Sequence, residues 1–254
     1  MNIQALLPKV VKIAKSAGVF LLERQSQVKV IDQDYKDIVT DADLASDSFI
    51  RERLQEITPN IPIASEEDEG GVGRFEGRKW VVDPLDGTFN FSTKDLLWGV
   101  SIALVENKQS QLGVVSLPCL NETIGVIRQG EVIANTFLRV RSDRDLSKAP
   151  VWVDWRKGDN EVTFFLLRKI EEKALYPGMK LCVTGSLMAV ATGKIAAYFH
   201  PGPGPEDIAA GCLIVEKAGG KVTDFAGQPW TPFSNSILAS NGILHEQLLE
   251  LISS

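Results

Sequence analysis

The chain has 254 residues, 44% of them hydrophobic, with 33 acidic and 27 basic side chains and a net charge of −6. A chain of this length buries roughly three quarters of its unfolded surface, enough for one large domain or two tightly joined halves. The acidic balance argues against a basic face for a nucleic-acid polymer, and no run of 18 uninterrupted apolar residues offers a membrane span.

In chain order, Leu6, Leu7, Val10, Ile13, Ala14, Ala17 and Leu21 recur at helical spacing. Lys9 and Lys12 fall inside this amphipathic run rather than ahead of an apolar one, so no secretory leader is read and the cytoplasm is the expected compartment. Leu44, Phe49, Ile50, Leu54 and Ile57 predict a second helix. Strands are then expected over 61–64, 79–82, 100–105, 112–116, 123–128 and 132–140, separated by polar turns. That order suits an antiparallel or mixed sheet backed by the two helices. Between Ser142 and Pro150 the composition turns charged and small, which divides an N-terminal half, 1–141, from a C-terminal half, 142–254. In the second half a strand over 151–153, a helix over 162–174, a strand over 180–183, a short helix from Ser186, a strand over 195–199 and a helix over 207–218 closed by Gly219-Gly220 predict alternation. The fold class is α+β or layered α/β. Cys119, Cys182 and Cys212 lie far apart among apolar neighbours and read as buried thiols of a reducing compartment. Trp98, Trp152, Trp155 and Trp230 read as core or interface anchors, and His245, in a C-terminal helix, as a surface residue.

The segment Trp80-Val81-Val82-Asp83-Pro84-Leu85-Asp86-Gly87-Thr88 carries the most chemistry. An apolar run stopped by Asp-Pro reads as a strand emptying into a turn. Two carboxylates at one strand mouth repel each other and are costly to desolvate together, so a divalent cation between them fits. An Asx-type turn capped by Thr88 fits the segment alone equally well. Gly87 lets backbone N–H groups approach an anion, and Thr88 is placed to start a helix. Elsewhere, Thr40 and Asp43 form a capping-box pattern at the second helix. Glu66 ends a short strand within an acidic loop, where it is either solvated or turned toward a ligand. Asp207 opens a helix, where its charge complements the dipole.

Taken together, four segments resemble the inositol monophosphatase family of magnesium-dependent, lithium-sensitive phosphatases, which is related to fructose-1,6-bisphosphatase and the bisphosphate nucleotidases. They are Asp37-Ile38-Val39-Thr40-Asp41-Ala42-Asp43, Ser65-Glu66-Glu67, Asp83-Pro84-Leu85-Asp86-Gly87-Thr88 and Asp207-Ile208-Ala209-Ala210-Gly211, in the family's order and approximate spacing. The resemblance implies a layered αβαβα sandwich, often a homodimer, acting on a small phosphorylated substrate.

Residue by residue, the resemblance implies that Glu66, Asp83 and the Leu85 carbonyl hold one Mg²⁺ while Asp83, Asp86 and Asp207 hold a second, within a set of two or three ions. It further implies that Thr88 and Asp43, with Glu66, position and deprotonate a water, and that Asp86, Gly87 and Thr88 meet the phosphate. Ser186 and His200 are the expected substrate contacts. Three departures stand out. Glu206 occupies the place of a usual tryptophan before Asp207, and His200 stands where many members carry a hydroxyl-binding glutamate. The segment from Gly185 to Gly193 is shorter by a helical turn. Inositol monophosphate is the leading expected substrate, with fructose-1,6-bisphosphate and 3′-phosphoadenosine 5′-phosphate as alternatives and a non-catalytic phosphate-binding protein as the contrasting class.

Overall fold

The computed structural model describes residues 2–33, 38–154, 160–174 and 176–253. Asp37 and Trp155, named above, lie outside the described residues. Two long helices come first. Helix α1 (Ile3–Arg24) is capped by the Asn2 side chain, which accepts from Gln4 N at 3.1 Å, and it buries Leu6, Leu7, Val10, Ile13, Ala14, Ala17 and Leu21, the face its periodicity predicts. A short hairpin of β1 (Val30–Gln33) and β2 (Ile38–Thr40), not anticipated from the sequence, leads to α2 (Asp41–Ile57). Helix α2 buries Ala42, Ser46, Ile50 and Leu54, whereas Leu44, assigned to its apolar face, turns to solvent.

Strands β3 (Ile63–Ser65), β4 (Arg78–Asp86), β5 (Gly99–Glu106), β6 (Gln109–Leu117), β7 (Glu122–Ile127) and β8 (Val132–Ala134) form a six-stranded sheet in sequential order. Within this sheet, among the described residues, only the β3–β4 pair is parallel. Burial on both faces explains the near-continuous apolar runs, and period-two alternation divides them. Trp80, Val82, Val100, Ile102, Leu104, Leu112 and Val114 pack with α1 and α2, while Val81, Ala103, Val105, Val115 and Leu117 face the other way.

The second sheet runs β10 (Tyr176–Gly178), β9 (Pro150–Val153), β11 (Ala197–Pro201), β13 (Ser236–Ser240) and β12 (Lys221–Thr223). Between the sheets lie α5 (Val183–Ala191), α6 (Pro205–Ile208) and α7 (Gly211–Lys217), whose Leu187, Val190, Ile208, Ile214 and Val215 share one core with both inner faces. Alternation splits the second sheet too: Tyr198, Ile237 and Ala239 point inward, whereas Phe199 and Leu238 pack outward beneath α4 (Asn160–Lys173) and α8 (His245–Ser253). The result is the α+β fold expected from the sequence, helix, sheet, helix, sheet and helix in five layers.

Several expectations fail. The strand expected over 132–140 stops at Ala134. The strand expected over 180–183 is absent. The paired segment is Tyr176–Gly178, an edge strand whose Tyr-Pro-Gly reads locally as a turn, and Cys182 caps α5, which begins three residues ahead of the expected Ser186. The helix expected over 207–218 is two helices, α6 and α7. His245 is fully buried rather than on the surface, its ring nitrogens within 2.9 Å of Thr223 Oγ1 and 2.8 Å of Ser240 Oγ. Cys182 and Cys212 are buried as expected, while Cys119 is half-buried.

Candidate active site

Strand β4 does not empty into a turn at Asp83-Pro84 as its sequence suggests. It runs on to Asp86 through a bulge: Asp83 pairs with Ser101 and Asp86 with Gly99, so β4 carries one residue more than β5 between those pairs. Pro84, which has no N–H to give, sits in the bulge, where a ladder bond is already interrupted. Leu85 N donates to Asp83 Oδ1 at 3.0 Å and Ser46 Oγ donates to the Pro84 carbonyl at 2.9 Å, fixing the kink. Gly87 follows with φ +83°, and a side chain there would lie 3.2 Å from both Cys182 Cβ and the Leu97 carbonyl. Only glycine meets both conditions, so the chain turns sharply into α3 (Thr88–Ser92).

The turn delivers Asp83 and Asp86 to a cleft of about 600 Å³ between the two sheets. Helix α6 brings Asp207 to the same place, its Oδ2 accepting from Gly204 N at 2.6 Å. One oxygen from each of Asp83, Asp86 and Asp207 lies within 4.8 Å of the others. Glu66, held at the end of β3 by its N–H bond to the Val82 carbonyl at 3.1 Å, lines the cleft as well, as do Leu85, Gly87, Thr88 and His200. Glu206 lines it too, its carbonyl accepting from Ser101 Oγ at 3.1 Å.

Six carboxylates line this cleft, with no lysine or arginine among the described lining residues. Burial pushes the Asp83 carboxyl well above its ordinary range, and the charges of Glu66, Asp86, Asp207 and Glu206 push it further. Asp86 is also raised by burial, although bonds from Thr184, Cys182 and Val183 pull against the shift. Converging carboxylate oxygen donors of this kind suit a hard divalent cation. The residues present therefore fit the metal that the resemblance implies.

Asp43 serves two purposes at once. Its Oδ2 accepts from Thr40 N at 2.8 Å and from Thr40 Oγ1, completing the capping box, while its Oδ1 accepts from Thr88 Oγ1 at 2.9 Å. Thr88 Oγ1 also lies 3.0 Å from the Leu85 carbonyl. The hydroxyl has one proton for these two acceptors and keeps its own lone pairs for a donor on the cleft side. Burial raises the Asp43 carboxyl, with the Thr40 and Thr88 bonds opposing.

Four residues not anticipated from the sequence complete the surroundings. Thr184 gives both its N–H, at 2.5 Å, and its hydroxyl to Asp86 Oδ2, and Cys182 Sγ lies 3.2 Å from the same oxygen. Oδ1 of Asp86 receives Val183 N at 3.3 Å and is otherwise turned to the cleft. Asp154, directly after β9, accepts from Lys180 N and Leu181 N, both at 2.8 Å, and from Tyr198 OH at 3.1 Å. Leu181 adopts φ +53°, which costs a non-glycine residue about 1–2 kcal/mol. Asp154 follows an apolar strand, a signal as legible as that of Glu66. Thr184, Cys182 and Leu181 gain their meaning from partners far off in sequence. Ser186, by contrast, is not brought to the cleft: it is buried, with its hydroxyl 3.3 Å from Asp154 Oδ2.

Fold and cleft together define a layered α+β protein whose acidic site lies between its two sheets. The sequence profile described as the inositol monophosphatase family matches residues 3–254, and the chain belongs to that family. It is 30% identical over 248 residues to a fructose-1,6-bisphosphatase/inositol-1-monophosphatase of Thermotoga maritima, covering 96% of this chain and 94% of that protein. It is also 30% identical over 246 residues to the Nus factor SuhB of Haemophilus influenzae, covering 94% and 92% of the two chains. Among solved structures, the extragenic suppressor protein suhB of Bartonella henselae superposes with a TM-score of 0.89 at 26% identity, covering 98% of this chain and 99% of that one.

Proposed function

We propose that the protein is a magnesium-dependent phosphomonoesterase that hydrolyses a small phosphate ester by direct attack of water. The observation that carries this reading is the convergence of Asp83, Asp86 and Asp207 oxygens within 4.8 Å beside the hydrogen-bonded Thr88–Asp43 pair. Asp83, Asp86, Asp207, Glu66 and the Leu85 carbonyl would hold the cations. Bound Mg²⁺ would supply charge neutralisation for the phosphate and a lowered pKa for the attacking water.

The remaining steps belong to the chain's own groups. Thr88 Oγ1 accepts a hydrogen bond from the water and, as it takes that proton, passes its own to Asp43 Oδ1, while Glu66 orients the same water from the end of β3; as the water oxygen bonds to phosphorus the P–O bond to the alcohol breaks, and the departing alkoxide takes a proton from solvent water. The capping bonds from Thr40 hold Asp43 in place for this transfer. The Gly87 and Thr88 N–H groups meet the phosphate oxygens at the turn after β4. No serine or cysteine is required as a nucleophile. His200 and Glu206 line the same cleft. Inositol monophosphate is one member of the substrate class.

The test is phosphate release from a panel of inositol 1-phosphate, fructose 1,6-bisphosphate, 3′-phosphoadenosine 5′-phosphate and simple alkyl phosphates in ¹⁸O-labelled water. The reading requires turnover of at least one ester with a single ¹⁸O entering each phosphate released in a first turnover. Silence across the panel from folded, magnesium-loaded protein would refute it.

A further inference from the structure

Leu181, with its left-handed backbone at φ +53°, lines the cleft. A left-handed residue is normally glycine, which takes that conformation without a clash. Here a leucine is held in it from both sides. Asp154 Oδ1 accepts from Lys180 N and Leu181 N at 2.8 Å each, and immediately beyond, Val183 N and Thr184 N are drawn to Asp86. Two buried carboxylates thus fix the leucine, and its side chain, 38% exposed, lines the cleft. Phe89, 50% exposed, lines it too. The two are tied together: Asn90 Nδ2 donates to the Lys180 carbonyl at 2.8 Å, which fastens α3 to the 180–181 loop. Val183 and Pro203 extend the same lining.

These side chains offer no hydrogen bond to a hydroxyl. They contrast with the carboxylates of the same cleft that gather around Asp83. A fully hydroxylated ring laid against Leu181 and Phe89 would lose water from its hydroxyls and gain no partner. An aromatic group would bury its face there and meet the Phe89 ring in an offset or edge contact. We propose that Leu181 and Phe89 form a specificity wall, and that the preferred substrate is a phosphomonoester whose alcohol carries an aromatic or comparably apolar face. The proposal rests on the phosphomonoesterase reading of the cleft and narrows it.

The experiment measures kcat/KM for benzyl phosphate and inositol 1-phosphate with Mg²⁺, for the wild type and for Leu181→Gly, Leu181→Asn and Phe89→Ala. Comparing one ratio across variants cancels the intrinsic reactivity of the two esters. The wild type is expected to favour benzyl phosphate, and each substitution to lower that preference about tenfold. Asn is included because it tolerates the left-handed region while turning the wall polar. Leu181→Gly is further expected to melt no lower than the wild type, since it relieves the strain. A ratio unchanged in all three variants would overturn the wall while leaving the phosphatase reading intact. A marked fall in melting temperature for Leu181→Gly would make Leu181 a packing residue and overturn it as well. If the wild type releases phosphate from no ester at all, the phosphatase reading fails and the wall falls with it.

Discussion

Replacing Asp83 by Asn separates the stability of the site from its function. Asp83 is 1% exposed and faces the charges of Glu66, Asp86, Asp207 and Glu206, so its ionised form is costly in the cation-free protein. Asn has nearly the same shape, and its side-chain oxygen can still accept from Leu85 N, so the kink of β4 survives. Removing a buried, crowded charge is expected to stabilise the cation-free protein by about 2 kcal/mol after the cost of the new amide donor. For a chain of this size that raises the melting temperature by roughly 4–8 °C. The sign with pH follows from the raised carboxyl: native Asp83 holds its proton longer than in the unfolded chain, so wild-type stability falls as pH rises through the native value. The gap in favour of Asp83→Asn in EDTA should therefore widen as pH rises above the ordinary carboxylate range. Mg²⁺ at a hundred times its dissociation constant adds about 2.7 kcal/mol to the wild type, enough to reverse the order of melting, and little to the variant. Phosphate release should drop at least a thousandfold, several kcal/mol of transition-state stabilisation, and excess Mg²⁺ should not fully restore it. Calorimetric melting in EDTA and in Mg²⁺, paired with the phosphate assay, reads all of these. An Asp83→Asn protein that melts below the wild type in EDTA, or keeps a tenth of its turnover, would refute the reasoning.

Thr88→Ala should lower kcat roughly a hundredfold with Mg²⁺ affinity unchanged, and combining it with Asp43→Asn should cost little more than either change alone; titration calorimetry showing lost Mg²⁺ binding with normal kcat would reassign Thr88. Asp43→Ala should also lose its half of the α2 capping box and about 1 kcal/mol of stability, which Thr88→Ala should not; equal melting temperatures would contradict the double role of Asp43. Thr184→Val removes a donor to Asp86 Oδ2 and should weaken Mg²⁺ binding by about tenfold; unchanged binding would show that Asp86 does not need the α5 end to hold it. His245, packed between Thr223 and Ser240 and facing Lys221 and Glu246, has its pKa pushed down by burial to about 4, so it stays neutral in the native state while the unfolded chain takes up a proton near pH 6.5. Its contribution is present above about pH 6.5 and is lost as pH falls toward 4, amounting to about 2 kcal/mol; an advantage over His245→Gln that stays constant across that window would rule this out.

Much of the architecture could be read from the sequence because periodicity reports burial directly. The stripe from Leu6 to Leu21 and the doubly apolar runs of β4 to β7 have one arrangement that hides both faces. Leu44 shows the limit, since the hairpin and the capping of Asp43 set the rotation of α2 at its start, and Leu44 ends on the solvent side. The strand expected over 180–183 fails for another reason. Leu181, Cys182 and Val183 look like a strand until Asp154 and Asp86, from elsewhere in the chain, claim their backbone N–H groups. In the cleft, Asp83, Asp86 and Thr88 were visible through one local pattern. Thr184, the positioning partner of Asp86, has no local signature, because its role depends on a residue 98 positions away. The burial of His245 has no local signature for the same reason: the pairing of β12 with β13 brings Thr223 and Ser240 to its two nitrogens.

The claim beneath the whole account is that Asp83, Asp86 and Asp207 together hold divalent cations facing the substrate. Crystals soaked in Mn²⁺, a stand-in for Mg²⁺ with a usable anomalous signal, test it most directly. The account predicts an anomalous peak about 2.1 Å from oxygens of all three carboxylates, weakened or lost in crystals of Asp83→Asn. Crystals in which these carboxylates remain without metal at saturating Mn²⁺, or in which the ion settles on a different group of residues, would contradict it.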